Sequence, residues 1–404
     1  MNRRSLLTAA GALSLTQALA LGGCTTTANG GPKVRSGAHS RSANSTRWHV
    51  SPAVGLDACF ALTIAGADLS VLQAKHHQHR RAALRAMLGP DGVAAAERLM
   101  QGIAASGRKA TPGAGLALVA SAGGIKTLGQ VIDSFTTDGI LEDGLAGSGE
   151  FQSDRAKEGI KRVRPIAAAA FEALARSGFE KYWSNEYKPK LDAASSSLAV
   201  ELSDIDMIAQ HRRYLARALD DNITIFLSEL SEPHGMRIIG QRFVTSPNYS
   251  TLISRRNAAH EIIHRLLEND RPETGRILAR LSDDPLLLAI AEKADPAFGY
   301  TSQGAASVRG LVEEGGVQAL EAVINEQLDQ GRDQSEYWRH QDGGMHMFAA
   351  AVYERMNKTG FVEQGGDMLT WLDEQTAAGA LQGASLENLA ASIVGPEAVS
   401  RWLV

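Results

Sequence analysis

Two histidines and a glutamate stand at a spacing that suits metal chemistry. Residues 257–265 read N-A-A-H-E-I-I-H-R, with His260 and His264 four positions apart and Glu261 directly after the first. On a helix, residues four apart lie one above the other, so both imidazoles can face one metal ion. Glu261 can then reach a water molecule on that ion. This pattern predicts a zinc site that activates water for hydrolysis.

The residues around this motif predict the helix that it needs. Ala258, Ala259, Ile262 and Ile263 are apolar, as expected if the helix is buried. The alternative interpretation is an ordinary helix with two structural histidines, because the motif is short.

Two apolar runs before this helix predict a small sheet. Residues 223–227 and 236–244 are rich in β-branched and apolar side chains, and a turn signal containing Pro233 and Gly235 separates them. Such runs around a turn are typical of antiparallel strands. Most of the chain from about residue 51 onward has apolar residues at helical spacing. The sequence therefore predicts a mainly α protein with a small antiparallel β-sheet (α+β).

Composition narrows the possible partners. The chain has 404 residues, 44% hydrophobic and 21% charged, with a formal net charge of -4. These values are typical of a soluble globular protein and indicate no nucleic-acid partner. The most basic stretches, residues 75–85 and 155–164, lack the interleaved aromatic side chains that stack on bases. We interpret them as solvated helix faces, including His76, His77 and His79.

The N-terminus has the features of an export signal. Arg3 and Arg4 precede an apolar run, residues 6–21, that is too short and too rich in small residues for a good membrane span. The run ends in L-G-G followed by Cys24. This pattern resembles a bacterial lipoprotein signal, and the paired arginines resemble a twin-arginine signal for export of folded proteins. The alternatives are a signal peptide cleaved elsewhere and an uncleaved anchor.

The lipoprotein resemblance implies a location for the mature chain. It implies removal of residues 1–23 as a signal peptide and a lipid on Cys24 that anchors the chain to a membrane. Because Thr25 rather than an aspartate follows the cysteine, it also implies the outer membrane of the cell envelope, facing the periplasm. Residues 24–48 are mostly small and polar and are predicted to be a flexible tether. The second cysteine, Cys59, stands among apolar residues and is predicted to be buried.

The order of the predicted elements resembles that of the zincin metallopeptidases. In those enzymes a small sheet, the H-E-x-x-H helix and a helical subdomain follow one another, and an edge strand binds an extended peptide substrate. By this resemblance, residues 238–244 are the candidate edge strand. The resemblance implies a zincin-like region at residues 221–404, preceded by an additional helical region at residues 49–220.

The resemblance also implies a third metal ligand. The branch H-E-x-x-H-x-x-G-x-x-H is excluded, because Leu267 and Asp270 stand at its glycine and third histidine positions. The other branch, the gluzincins, takes a glutamate from a later helix. Residues 308–321 resemble that helix and contain Glu313 and Glu314.

Glu313 and Glu314 differ in two respects. Helical amphipathicity slightly favours Glu313 as the inward residue. The family pattern, in which the ligand directly precedes a glycine, favours Glu314, and we take Glu314 as the predicted ligand. A solvated pair near a helix start is the remaining interpretation. Gly315 and Gly316 are expected to let this helix approach the histidine helix closely.

Side chains after this helix are candidates for stabilising the oxyanion formed during peptide hydrolysis. By the resemblance, a tyrosine or histidine near the metal donates a hydrogen bond to that oxyanion. His346 and Tyr353 are the chosen catalytic candidates, and Tyr337 is a further one. Each of them can instead be a residue of the core or of the rim.

The resemblance implies a zinc-dependent peptidase anchored in the bacterial envelope. His260, His264 and Glu314 bind Zn²⁺, Glu261 acts as the general base, and the substrate is a peptide or protein. One alternative is an inactive zincin-like lipoprotein that binds partners or acts as a scaffold at the envelope. Another alternative is a zinc amidase that acts on peptidoglycan.

Overall fold

The computed structural model describes residues 44–68, 71–105, 112–146, 154–232, 235–264, 266–267, 271–294 and 305–404. The predicted signal peptide (1–23), the predicted lipid attachment at Cys24 and residues 25–43 of the tether lie outside the described residues. Among the helices in these ranges, none combines the length and apolarity needed to cross a membrane.

The first half of the chain consists of helices that follow one short strand. The strand is β1 (Arg47–Pro52). The helices are α1 (Val54–Gly66), α2 (Val71–Ala105), α3 (Pro112–Ala120), α4 (Leu128–Thr136), α5 (Ile140–Ala146), α6 (Asp154–Arg176), α7 (Phe179–Glu186), α8 (Lys188–Leu202) and α9 (Met207–Arg212). Gly89 interrupts α2 with a φ of 66°, a left-handed conformation that suits glycine.

Three further strands complete the sheet. They are β2 (Asn222–Leu227), β3 (Met236–Ile238) and β4 (Arg242–Thr245), and the order across the sheet is β1-β2-β4-β3. β1 and β4 both run parallel to β2, and β3 is antiparallel to β4. The prediction of a mainly α protein with a small sheet is confirmed. The antiparallel arrangement is wrong, because the sheet is mixed.

The difference in strand direction has a local cause. The apolar run at residues 236–244 forms a hairpin of two strands, because Gly240 adopts a φ of 82° and turns the chain back. The second arm of that hairpin, β4, therefore runs parallel to β2. β3 lies at the edge of the sheet and β4 inside it, so only Ile238 of the predicted edge at residues 238–244 belongs to the edge strand.

The predicted tether, residues 24–48, extends too far along the chain. The hydroxyl of Ser45 donates a hydrogen bond to the carboxylate of Asp206 at 2.7 Å, and the β1 ladder begins with Arg47 opposite Asn222. Residues 44–48 therefore belong to the fold. The same ladder joins the predicted helical region to the predicted zincin-like region across their boundary.

Further helices follow the sheet. They are α10 (Thr251–Ile263), α11 (Pro272–Leu281), α12 (Pro285–Lys293), α13 (Ala305–Gln327), α14 (Gln334–His340), α15 (Met347–Thr359), α16 (Phe361–Gln364), α17 (Met368–Ala377), α18 (Gly383–Val394) and α19 (Pro396–Leu403). α13 contacts both α10 and α15, and α15 contacts α18. Buried apolar residues from Ala53 to Trp402 form one core, which includes Cys59 as predicted.

The basic part of α2 is not entirely a solvated face. His77 is buried and donates from Nε2 to the carbonyl oxygen of Glu232 at 2.5 Å. Arg80 pairs with the carboxylate of Glu229 at 3.0 Å. Burial lowers the pKa of His77 to about 4, so this histidine is neutral at pH 7. These contacts dock α2 against the chain that follows β2, and the predicted solvated face is wrong at these positions.

A buried carboxyl group links three parts of the fold. Asp57 of α1 accepts a hydrogen bond from the indole of Trp183 on α7 at 2.6 Å and another from the hydroxyl of Ser228, directly after β2. Burial raises the pKa of Asp57 to about 7, because these hydrogen bonds offset only part of the lost hydration. In an unfolded chain an aspartate titrates near pH 4.

This difference in pKa predicts a pH dependence of stability. Between about pH 4 and 7 the folded protein keeps the proton on Asp57 and the unfolded chain releases it, so the free energy of unfolding falls by about 1.4 kcal/mol per pH unit. Asp57→Asn removes this slope. From pH 5 to pH 8, urea denaturation should show the variant gaining about 3 kcal/mol relative to the wild type. An identical pH dependence in both proteins would contradict the raised pKa.

Candidate metal centre

α10 ends inside the H-E-x-x-H motif. Its last helical residue is Ile263, so His260 lies in the final turn and His264 is the C-cap residue, with φ -47° and ψ 147°. The two imidazole rings nevertheless meet edge to face, with centroids 4.7 Å apart. The structure therefore brings the two histidines together, although only His260 is helical.

Arg217 fixes the point at which α10 ends. Its guanidinium donates hydrogen bonds to the carbonyl oxygens of Ile262 and His264, the latter at 3.2 Å. The last carbonyls of a helix have no partner within the helix, and a basic side chain is one way to satisfy them. These contacts hold the backbone of His264 in its non-helical conformation.

The two adjacent glutamates of α13 face different partners. Glu314 is 3% exposed, and its Oε1 and Oε2 atoms lie 3.6 Å from Nε2 of His260 and 3.9 Å from Nε2 of His264, respectively. The carboxylate of Glu313 instead accepts hydrogen bonds from the backbone N–H groups of Leu266 and Leu267 at 2.8 and 2.7 Å. Of the two candidate ligands, the structure thus brings Glu314 to the histidines.

Two glycines let α13 pack closely on two different neighbours. A Cβ atom on Gly316 would lie 2.6 Å from the side chain of Leu266, just after α10. A Cβ atom on Gly315 would lie 2.8 Å from the ring of Phe348 on α15. Gly316 therefore serves the expected approach to the histidine segment, and Gly315 serves the contact between α13 and α15.

Glu321, which the sequence did not single out, orients His260. It is buried on α13, with Oε2 at 3.2 Å from Nδ1 of His260. Asn325 and Arg332 each donate a hydrogen bond to its other oxygen at 3.0 Å. Nδ1 of His260 donates to Glu321, which directs Nε2 toward Glu314. The one sequence signal is the seven-residue spacing from Glu314, which puts both side chains on one helix face.

Glu261 extends into the same cluster. Ligand atoms of His260, Glu261 and His264 lie within 4.8 Å of one another. The carboxylate of Glu261 also accepts a hydrogen bond from the backbone N–H of Arg237, so β3 runs beside it. Its side chain is 12% exposed, against 4% for Glu314, so it lies nearer to solvent.

The strand beside Glu261 is not a free edge at every position. Arg237 uses its N–H on Glu261, and the N–H of Ile239 donates to the hydroxyl of Ser121 at 3.1 Å. Strand addition needs unpaired backbone groups along the edge. The predicted addition of a substrate strand would therefore have to displace these contacts.

Carboxylates outnumber cations around His260. Burial alone would lower the pKa of His260, but Glu314 and Glu321 outweigh this effect and raise the pKa to about 10. A histidine between buried carboxylates stays protonated because its proton supplies the missing positive charge. A metal cation would supply the same charge through Nε2.

The pKa values of His264 and Glu261 are shifted in opposite directions. Burial lowers the pKa of His264 well below its usual value, and the charges of His260, Arg237 and Arg217 lower it further. His264 is therefore neutral, the form in which imidazole binds metals. Burial raises the pKa of Glu261 above its usual value. A carboxylate of raised pKa is a stronger base.

This donor set fits a zinc ion. Two imidazole nitrogens and one carboxylate are a common ligand set of catalytic zinc, whose neighbouring ligand atoms lie about 3.4 Å apart in a tetrahedron. Glu314 makes its contacts through different oxygens, Oε1 at 3.6 Å from His260 and Oε2 at 3.9 Å from His264, so each oxygen is close to that spacing from one imidazole. The side chains of His260 and His264 are 18% and 25% exposed, so solvent reaches the cluster. The same donors also suit other divalent transition metals.

His346 lies in a buried layer next to Glu314. Its Nε2 atom is 2.9 Å from Oδ2 of Asp342 and 3.3 Å from Nε2 of Gln318, which in turn donates to Glu314 at 3.0 Å. His346 is 4% exposed. The structure thus connects His346 to the cluster through Gln318 and gives it no direct contact with the histidines.

Tyr353 lies away from the histidines. Its hydroxyl donates to Glu326 at 2.6 Å. Glu326 follows Glu314 by twelve residues on α13, about 18 Å along the helix axis. The structure therefore does not bring this candidate together with the metal cluster.

Tyr337, the remaining tyrosine candidate, lies beside Arg332. Its ring lies 3.3 Å from the guanidinium of Arg332, which binds Glu321. Burial raises the pKa of Tyr337, and the charges of Glu321 and Glu314 contribute. Within the described ranges its hydroxyl makes no hydrogen bond.

No protein-family model, curated protein or solved structure matches this chain. The interpretation of the cluster therefore rests on its own geometry and chemistry.

Because Glu313 and Glu314 have different partners, replacing each of them by glutamine should have a different effect on zinc binding. Glu314→Gln removes the charge that faces both histidines, so stoichiometric zinc should be lost in metal analysis of the purified protein. Glu313→Gln should retain zinc and lower the free energy of unfolding by about 1–3 kcal/mol, because the backbone of Leu266 and Leu267 loses a charged acceptor. Zinc loss in the Glu313 variant alone would reverse the ligand assignment.

Proposed function

We propose that this chain is a zinc-dependent peptidase of the gluzincin type. The supporting observation is the convergence of His260 and His264 from the end of α10 with Glu314 from α13, with Glu261 beside them. These three residues would hold the ion. When bound, Zn²⁺ supplies Lewis-acid activation of water and of the substrate carbonyl.

Glu261 supplies proton transfer in this proposal. Its carboxylate takes a proton from the attacking water and passes the proton to the nitrogen of the leaving amine. Burial, which raises its pKa, favours the first step, and the N–H of Arg237 fixes one side of the carboxylate. The neighbouring Glu314 is more deeply buried and faces the histidines, so the two carboxylates have separate roles.

Tyr337 is the proposed donor to the oxyanion. Its hydroxyl, which makes no hydrogen bond in the described part of the chain, and its place beside Arg332 support this choice over Tyr353, whose hydroxyl is bound to Glu326. His346 is closed off from solvent, so a positioning role suits it better than contact with substrate.

The location proposed for this activity is the bacterial envelope. The support is the sequence alone: the paired arginines, Arg3 and Arg4, and the small-residue run that ends at Cys24. A lipid on Cys24 would place the peptidase at a membrane surface.

Glu261→Gln tests the reaction. The variant should bind zinc as the wild type does, because Glu261 is not one of the three ligands, and hydrolysis of internally quenched peptides should fall about 10²- to 10⁴-fold. Zinc content and thermal unfolding serve as controls. A variant that cleaves peptides at the wild-type rate would refute the role of Glu261, and a zinc-loaded wild type without any cleavage would favour a binding protein.

Tyr337→Phe and Tyr353→Phe form a matched pair. Loss of the Tyr337 hydroxyl should lower kcat about 10²-fold with little change in KM, because an oxyanion donor acts in the transition state. Loss of the Tyr353 hydroxyl should leave kcat nearly unchanged. Steady-state kinetics on one quenched peptide provides both constants. A larger fall in kcat for the Tyr353 variant than for the Tyr337 variant would instead identify Tyr353 as the oxyanion donor.

A further inference from the structure

We propose that Gln318 positions the third metal ligand, Glu314, and that the buried pair Asp342–His346 confines Gln318. This inference rests on the proposed function, because it takes Glu314 as a ligand of zinc. Gln318 touches neither substrate nor metal in this proposal, so it is a positioning residue.

Glu314 needs a hydrogen bond that keeps its carboxylate in one orientation. A buried carboxylate without donors is strongly destabilised. Within the described ranges, the amide nitrogen of Gln318 donates a hydrogen bond to Oε1 of Glu314 at 3.0 Å, whereas the imidazole nitrogens lie 3.6 and 3.9 Å from its oxygens. Gln318 lies one turn later on α13 and is itself 3% exposed. Its amide therefore fixes the oxygen that faces His260.

Trp338 determines which end of the Gln318 amide faces Glu314. The indole N–H of Trp338 donates to Oε1 of Gln318 at 3.0 Å. An indole nitrogen can only donate, so the oxygen of the amide must point toward Trp338 and the NH₂ group toward Glu314. With the amide reversed, two oxygens would meet at Glu314 and two N–H groups at Trp338.

Asp342 and His346 close the other side of Gln318. Nε2 of His346 carries either a proton or a lone pair, so it cannot serve both neighbours. The 2.9 Å contact to the carboxylate of Asp342 takes the proton, since the contact to Gln318 is longer at 3.3 Å. Gln341 donates to the other oxygen of Asp342 at 2.9 Å. The imidazole is thereby fixed beside Gln318.

The unusual backbone conformation of Asp342 indicates that the surrounding structure holds the Asp342–His346 pair in one arrangement. Asp342 has a φ of 47°, a left-handed conformation that a non-glycine residue rarely adopts. Gly343 and Gly344 continue the turn with φ of 67° and 73°. The indole of Trp402 donates to the carbonyl oxygen of Gly344 at 3.1 Å and fixes the turn. The turn places the buried carboxylate of Asp342 next to His346.

Zinc affinity of full-length variants tests this proposal. Gln318→Met keeps the size of the side chain and removes its donor, so zinc should bind about 10- to 100-fold more weakly in competition with a chromophoric chelator. Trp338→Phe should also weaken binding, because it removes the N–H group that sets the amide orientation. Thermal unfolding of the zinc-free proteins shows whether each variant is folded.

Gln334→Met is the matched control. Gln334 is a buried glutamine of α14 whose side-chain nitrogen and oxygen have no partner within the described ranges. Its zinc affinity should equal that of the wild type. Equal zinc affinities of the Gln318 and Gln334 variants would overturn the positioning role and leave the proposed function intact. A wild type that binds no zinc would overturn the proposed function itself.

Discussion

The contact between α13 and the end of α10 is the constraint on which the metal centre depends. One rigid helix presents three carboxylates to one short segment: Glu313 to the backbone after the motif, Glu314 between the imidazoles, and Glu321 to Nδ1 of His260. A slip of α13 by one residue would move each of them by about 1.5 Å and rotate it by about 100°. The three contacts therefore form or fail together, and the close approach at Gly316 makes the register possible.

The local sequence pattern was sufficient to predict the parts of the site that lie close together in sequence. The four-residue spacing placed His260 and His264 together, and the glycine after Glu314 pointed to the glutamate that the structure brings to them. The helical spacing of apolar residues likewise gave the mainly α class. The helical class depends on neighbouring residues alone. The pairing of the histidines also depends on Arg217, because His264 lies past the last helical residue of α10.

Features that depend on distant partners could not be predicted in this way. Glu321 carries no motif, and its role appears only when α13 lies against α10. His346 stands after a glycine turn, as a substrate-facing residue would, yet its position is set by Asp342. β1 alternates polar and apolar residues, and Trp48 and Val50 pack against the core, but the strand is short and its partner β2 lies far along the chain. The direction of β4 followed from one left-handed glycine, Gly240.

The parallel pairing of β1 with β2 has a consequence for the order of folding. Arg47 cannot meet Asn222 until all of the first nine helices have been synthesised, so the sheet closes late and over a long stretch of chain. Contacts between distant residues slow folding, because the entropy of the intervening chain is lost before they form. The residues of the metal cluster follow β2 in the sequence. A fold that closes through such distant contacts needs the chain to be available through β2 before its sheet can form.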